Sequence, residues 1–258
     1  MAARRSRKRR RRGRFSFLYK LLSVVLILAA IVAGCIVFFR VETITIVGST
    51  VYTDEEIIAA AEVELGDNLF LIGRVRTGTK IVSRLPYIDT VDPDWVLPDT
   101  LLITVTECIP VGVLKGDGGT WWVIDSSCKL LEQGGNELTR QYPQISGLTA
   151  LMPTEGKSLK VSVEENTKLD SLKQLLSALA DRGMLEEVQS IDLSGVSEIE
   201  MAYEDRFTVR MPMYSDDFHL LAHTLQDAAA RLNAGQTGTI DLTTVNMTAG
   251  EQGRFIPD

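Results

Sequence analysis

The sequence predicts an α+β protein: a single N-terminal transmembrane helix, a small βααββ domain, and a mixed β-sheet domain with flanking helices. Three observations carry this. Nineteen residues without a charge lie between Lys20 and Arg40. Beyond them, short runs of apolar–polar alternation interleave with segments of helical period. Charge is also divided sharply along the 258 residues. The net value is −7, yet residues 1–20 hold ten Lys or Arg and no acid, and residues 41–258 carry about −18. A uniformly basic chain would suggest nucleic acid as a partner. A basic handle on an acidic body does not.

The first element is the uncharged run. At 1.5 Å per residue it spans roughly 28 Å, close to the ~30 Å thickness of a bilayer's hydrocarbon. The expected division is a basic tail at 1–17 and a transmembrane helix at 18–39. Lys and Arg concentrate on the cytoplasmic flank of a span, which places the tail in the cytoplasm and the body outside. The same tail suits anionic membrane lipid better than nucleic acid, because it ends just before the span. Val32-Ala33-Gly34-Cys35 has the form of a lipoprotein cleavage site, but Ile36-Val37-Phe38-Phe39 continues the apolar run where a polar tether belongs. A retained span is the better reading.

Residues 41–108 then read as strand, helix, helix, strand, strand. Val41–Val47 alternates as a half-buried strand, and Gly48-Ser49 turns the chain. Thr53 and Glu56 form a capping box for a helix with Ile57, Ile58 and Ala61 inward, closed by Gly66. A second helix over about 75–85 turns Val75, Ile81, Val82 and Leu85 inward and stops before Pro86. A short strand at 87–91, a proline-bounded loop, and a strand at 100–107 complete the domain.

From 109 to 247 the pattern is β-rich. Strands at 109–114 and 120–125 flank a glycine turn, Gly116–Gly119. Helices at 166–182 and 216–233 bracket strands near 188–193, 197–203 and 206–211, and a strand at 238–243 closes the domain. Residues 248–258 read as a C-terminal tail whose last residues, from Gly253, fray. Trp121 and Trp122 are adjacent in a strand and face opposite sides, one into the core; the other packs at the rim by default, with a partner anchor as the alternative, and spacing does not say which is which.

Catalytic, cofactor and metal motifs are not found. His219 and His223 share a helix face with Asp216 one turn back, but Leu220 stands where a zincin has Glu. Gly116–Gly119 joins two strands, so it is a hairpin turn and not a phosphate cradle. Adjacent acids such as Glu164-Glu165 follow from composition. The open end of the 109–125 hairpin brings Cys108 toward Cys128, so a disulfide and a pair of free thiols both fit.

Several of these segments carry a resemblance. Ile44-Thr45-Ile46-Val47-Gly48, the Thr53-capped helix, Gly66-Asp67-Asn68-Leu69-Phe70, and Leu97-Pro98-Asp99-Thr100-Leu101 running into Ile103–Pro110 resemble the FtsQ/DivIB family of bacterial cell-division proteins, whose first extracytoplasmic unit is a POTRA domain. Trp121–Asp125, Tyr142–Gly147 and Gly238–Leu242 extend the likeness through a following β-domain. Cys108 and Gly112 depart from the family, which often has Arg and Ala at those positions.

The resemblance implies a non-enzymatic scaffold of the septal division complex, enriched at the septum and linked to the septal cell-wall synthase complex. Its β-domain edge receives small bitopic coiled-coil partners of the FtsB/DivIC and FtsL type. The matching positions are Thr239, Ile240, Asp241, Leu242 and Thr243, with Tyr203 and Arg210 on neighbouring strands. Strand addition supplies the physics: a free row of backbone groups accepts a partner strand. Strand 41–47 is a second candidate edge. The competing readings are a membrane-anchored transport or assembly factor that presents substrate chains by the same pairing, and a membrane-anchored hydrolase.

Overall fold

The computed structural model describes residues 13–116, 118–233, 235–245 and 253–258, with side chains from residue 17 onward. The basic tail through Arg12, Asp117 of the glycine turn, and residues 248–252 of the expected C-terminal tail lie outside the described residues. The chain forms two compact units, residues 1–79 with 91–105, and residues 80–90 with 106–258.

The first unit begins with α1, Gly13–Phe38. Within it Phe17–Phe38 is a 22-residue stretch long and apolar enough to cross a membrane, and Cys35 lies inside that stretch. Ser23 keeps its hydroxyl satisfied by donating to Tyr19 O at 2.8 Å, as a polar group in lipid requires. The following strand is β1, Thr43–Val47. Helix α2, Asp54–Ala61, opens on the expected capping box: Thr53 Oγ1 accepts from Glu56 N, and the Glu56 carboxylate accepts from Thr53 N. It ends earlier than Gly66, on Glu62 in the left-handed region. Gly66 instead shapes the next turn, at φ +96°.

Helix α3, Arg74–Arg84, rotates differently from expectation. Thr77 and Ile81 are buried, whereas Val75 is 86% exposed. Gly78 sets this phase, since a Cβ there would lie 3.3 Å from Val91 O; the helix packs its smallest residue against the neighbouring strand. That strand, β2, runs from Ile88 to Val96 and replaces the expected proline-bounded loop. It carries Pro93 because it is an edge: the three-stranded order is β1-β3-β2, with β3 at Thr100–Glu107. β1 forms the other edge and runs parallel to β3, Ile44 opposite Leu101.

The second unit is built on a nine-stranded sheet. Its strands are β4 (Pro110–Gly116), β5 (Trp121–Asp125), β6 (Leu130–Gly134), β7 (Gln144–Ala150), β8 (Val188–Asp192), β9 (Glu198–Tyr203), β10 (Phe207–Pro212), β11 (Gly238–Asp241) and β12 (Arg254–Pro257). Their spatial order is β12-β11-β10-β9-β8-β7-β4-β5-β6. Helices α4 (Asn166–Ala180) and α5 (Phe218–Arg231) cover one face. There Leu172, Leu175, Phe218 and Leu225 join inward residues such as Leu114, Ile124, Val209 and Ile240 in one large core. The opposite face at β4, β5 and β6 holds a smaller cluster of Cys108, Val113, Val123, Leu131 and Leu138. The strand period of two sorts these side chains: Val113 and Leu114 part to opposite clusters, as do Trp122 and Val123.

Two expectations are corrected here. Gly253–Asp258 does not fray, because residues 254–257 form β12, antiparallel to β11. Phe255 holds it in place, packing edge-to-face on Phe207 at 6.1 Å. The 238–243 strand is therefore not terminal. It is hydrogen-bonded on both sides, to β10 and to β12.

Candidate functional site

The sheet edge is built from the cross-strand register. β10 and β11 pair in parallel with Arg210 opposite Asp241, and β11 and β12 pair antiparallel with Asp241 opposite Arg254. On the inner side Arg210 stands opposite Glu200 of β9. One rung thus reads Glu200, Arg210, Asp241, Arg254, alternating in sign across four strands and ending on an exposed arginine. Arg210 also bonds the Glu198 carboxylate through Nη2, and its Nε lies 3.8 Å from Glu200.

Asp241 is held by its own turn. Its Oδ1 accepts from Thr243 Oγ1 at 2.6 Å and from Thr243 N at 2.9 Å. Those bonds, with the guanidinium groups of Arg210 and Arg254, hold its carboxyl below the usual carboxylate range. The same turn ends the strand and explains why β11 stops at Asp241.

Of the residues expected at the edge, Thr239, Asp241 and Thr243 are half-buried, while Ile240 and Leu242 are 1% and 0% exposed and belong to the core. Tyr203 is also core, at 4% exposed, and burial pushes its phenol up to about 12. The edge that sequence reasoning missed is β12, where Arg254 and Ile256 share one face and Phe255 the other. Its only signal in the sequence was Arg254-Phe255-Ile256, too short to separate from a tail.

The cysteine pair resolves as two free thiols. Cys108 lies in the small cluster and Cys128 in the large one, on opposite faces of the sheet. The cause is the turn after β5. Asp125 Oδ1 accepts from Ser127 N, Ser127 Oγ and Lys129 N, and Cys128 takes φ +61°, which aims its side chain toward the helices. Desolvation pushes both thiols up to about 12. Lys129 passes on the other side, its Nζ 2.7 Å from Ile88 O and 3.8 Å from Cys108 Sγ.

The histidines do not converge. His219 Nδ1 lies 3.7 Å from Asp181 and His223 Nδ1 3.5 Å from Asp227. No group of three metal-ligating side chains occurs among the described residues. Of the paired tryptophans, Trp122 is core, and Trp121 is the half-buried one, donating its indole N–H to Asn136 Oδ1 at 2.8 Å.

Comparison with known proteins fits this architecture. Residues 39–107 match the model of the FtsQ-type POTRA domain. The chain is 27% identical over 216 residues to the cell division protein FtsQ of Syntrophotalea carbinolica, covering 82% of this chain and 72% of that protein. It is 25% identical over 203 residues to the FtsQ of Mycobacteroides abscessus, covering 77% of this chain and 60% of that one. A third match, to the FtsQ of Corynebacterium glutamicum, is 30% identical over 140 residues and covers 53% of this chain and 59% of the relative. The chain thus spans about three-fifths of the latter two relatives. With an apolar helix long enough to cross a membrane, an FtsQ-type POTRA domain and a following sheet domain in that order, the chain is similar over most of its length to FtsQ cell-division proteins.

Proposed function

We propose that this protein is a scaffold of the division complex, anchored with its basic tail in the cytoplasm and its body outside, and that it works by contact rather than by chemistry. Its partner surface is the outer edge of β12, where a small bitopic coiled-coil protein of the FtsB/DivIC or FtsL type adds a strand. The septal cell-wall synthase complex is reached through those partners, and the basic tail rests on anionic lipid.

The observation that carries the proposal is the sign-alternating rung ending on Arg254. β12 leaves one side unpaired among the described residues. A strand added there meets Arg254 and the partly exposed Ile256 on one face. An acid opposite Arg254 and an apolar residue opposite Ile256 would continue the pattern. β11 and Arg210 then serve by holding β12 in register.

The test is in-cell photocrosslinking from position 256, with 239 on the interior strand and 219 on α5 as comparisons. Adducts with one or two small membrane proteins should form from 256. Arg254→Glu should weaken them a few-fold, an effect on the order of 1 kcal/mol. Adducts from 219 with none from 256 would remove β12 as the binding edge.

A further inference from the structure

We infer that the turn after Asn68 is a second membrane contact: Phe70, Leu71 and Val75 enter the interface of the leaflet nearest the folded body, beside the span. The depth of this turn is set by hydrogen bonds to the end of α1. Gly66 N donates to Val41 O at 2.8 Å and Leu69 N to Phe39 O at 3.0 Å, so residues 66–69 run antiparallel to 39–41, back toward the helix. Asn68 Nδ2 reaches further, to Ile36 O at 3.1 Å and Cys35 O at 3.3 Å. Both are carbonyls of the last helical turn; Cys35 O also accepts from Phe39 N at 3.1 Å, and Asn68 caps the end of the helix at Ile36 O. They belong to the apolar stretch Phe17–Phe38, where water is not at hand to satisfy them. A side chain that takes this task from water must itself sit at that depth.

The residues that follow suit lipid. Leu71 is 78% and Val75 86% exposed, and Val37 and Phe38 at the end of the span are 66% and 67% exposed. Phe70 stacks edge-on between Phe39 at 4.9 Å and Trp95 at 5.4 Å. Aromatic rings at this level and a cation just above it are the arrangement of a membrane interface. Arg74 supplies one cation, 6.0 Å from the Trp95 ring and ion-paired to Asp92. Arg76 is exposed on the first turn of α3 and has no ion pair among the described residues, which leaves it for a lipid phosphate. Phe70 packs on Phe39, the residue directly after the span, and this continuity with an apolar helix selects the bilayer as occupant over a protein partner.

The test uses the full chain, one copy per lipid nanodisc, with Cys35→Ala and a nitroxide at Leu71→Cys or at Val51→Cys. Position 51 lies beyond the far end of β1, away from the span, and is 52% exposed. Collision rates with oxygen and with a water-soluble nickel chelate report lipid and water respectively. At position 71 the oxygen-to-nickel ratio should exceed that at 51 several-fold, and Val75→Asp should lower it. A high nickel rate at 71 means water and overturns the inference. Low rates for both reagents mean the turn packs on protein, which also overturns it. Circular dichroism checks that each variant is folded. The outcome is independent of partner binding at β12.

Discussion

At the scale of single residues, burial and turn geometry decide reactivity. Cys108 and Cys128 were close enough in sequence logic for a bridge, yet Asp125 organises a turn that sends Cys128 to the helix side of the sheet. Both thiols should resist alkylation at neutral pH and react only after unfolding, adding two modifications to the intact mass; a non-reducing mobility shift lost in Cys128→Ser would contradict this. Asp241 offers a pH signature. Its folded pKa is depressed, so its contribution is present above the ordinary value of 3.8 and is lost as pH falls through the lower folded value. Asp241→Asn should therefore lower stability in urea at pH 7, and the gap to the parent should close at strongly acidic pH. A gap that is unchanged there would mean the carboxylate charge is not what stabilises the turn.

At the scale of elements, the strands and helices with strong period were legible, and those shaped by neighbours were not. The helices α2, α4 and α5 and the strands β3, β8, β9 and β10 follow local pattern and capping. β7 was seen only as a motif, because Gly147 breaks its alternation. That glycine has φ +85°, and a Cβ there would stand 2.2 Å from the Leu193 carbonyl carbon. Gly147→Ala should cost several kcal/mol, on the order of 2–4, read from the urea midpoint, because both strain and backbone overlap must be relieved. A loss below about 1 kcal/mol would show that β7 and the 193–194 backbone can part without cost. In α3 the missed phase has a similar origin. Val75, Ile81, Val82 and Leu85 look like an inward stripe, and Ile81 is buried as expected, but Gly78 and Thr77 face the sheet and Val75 is released to the surface.

For the whole molecule, the charge division is the basis for the proposed orientation. Ten basic residues before residue 21 and a body of about −18 favour a cytoplasmic tail. Neutralising Arg4 to Arg12 should reduce the fraction of chains whose body is digested by protease added to intact spheroplasts; an undiminished fraction would assign orientation to another signal. Membrane attachment, the order of the two domains and the family likeness were determined by the sequence itself, because hydropathy, charge and capping are local properties written in adjacent residues. The position of the free edge was decided only by the tertiary structure. Four residues, Arg254–Pro257, have too little pattern to declare a strand, and they become one because β11 offers unpaired backbone groups and Phe207 offers a ring for Phe255. The separation of the two cysteines and the outward face of Val75 were decided in the same way, by what long-range packing leaves each backbone segment to satisfy.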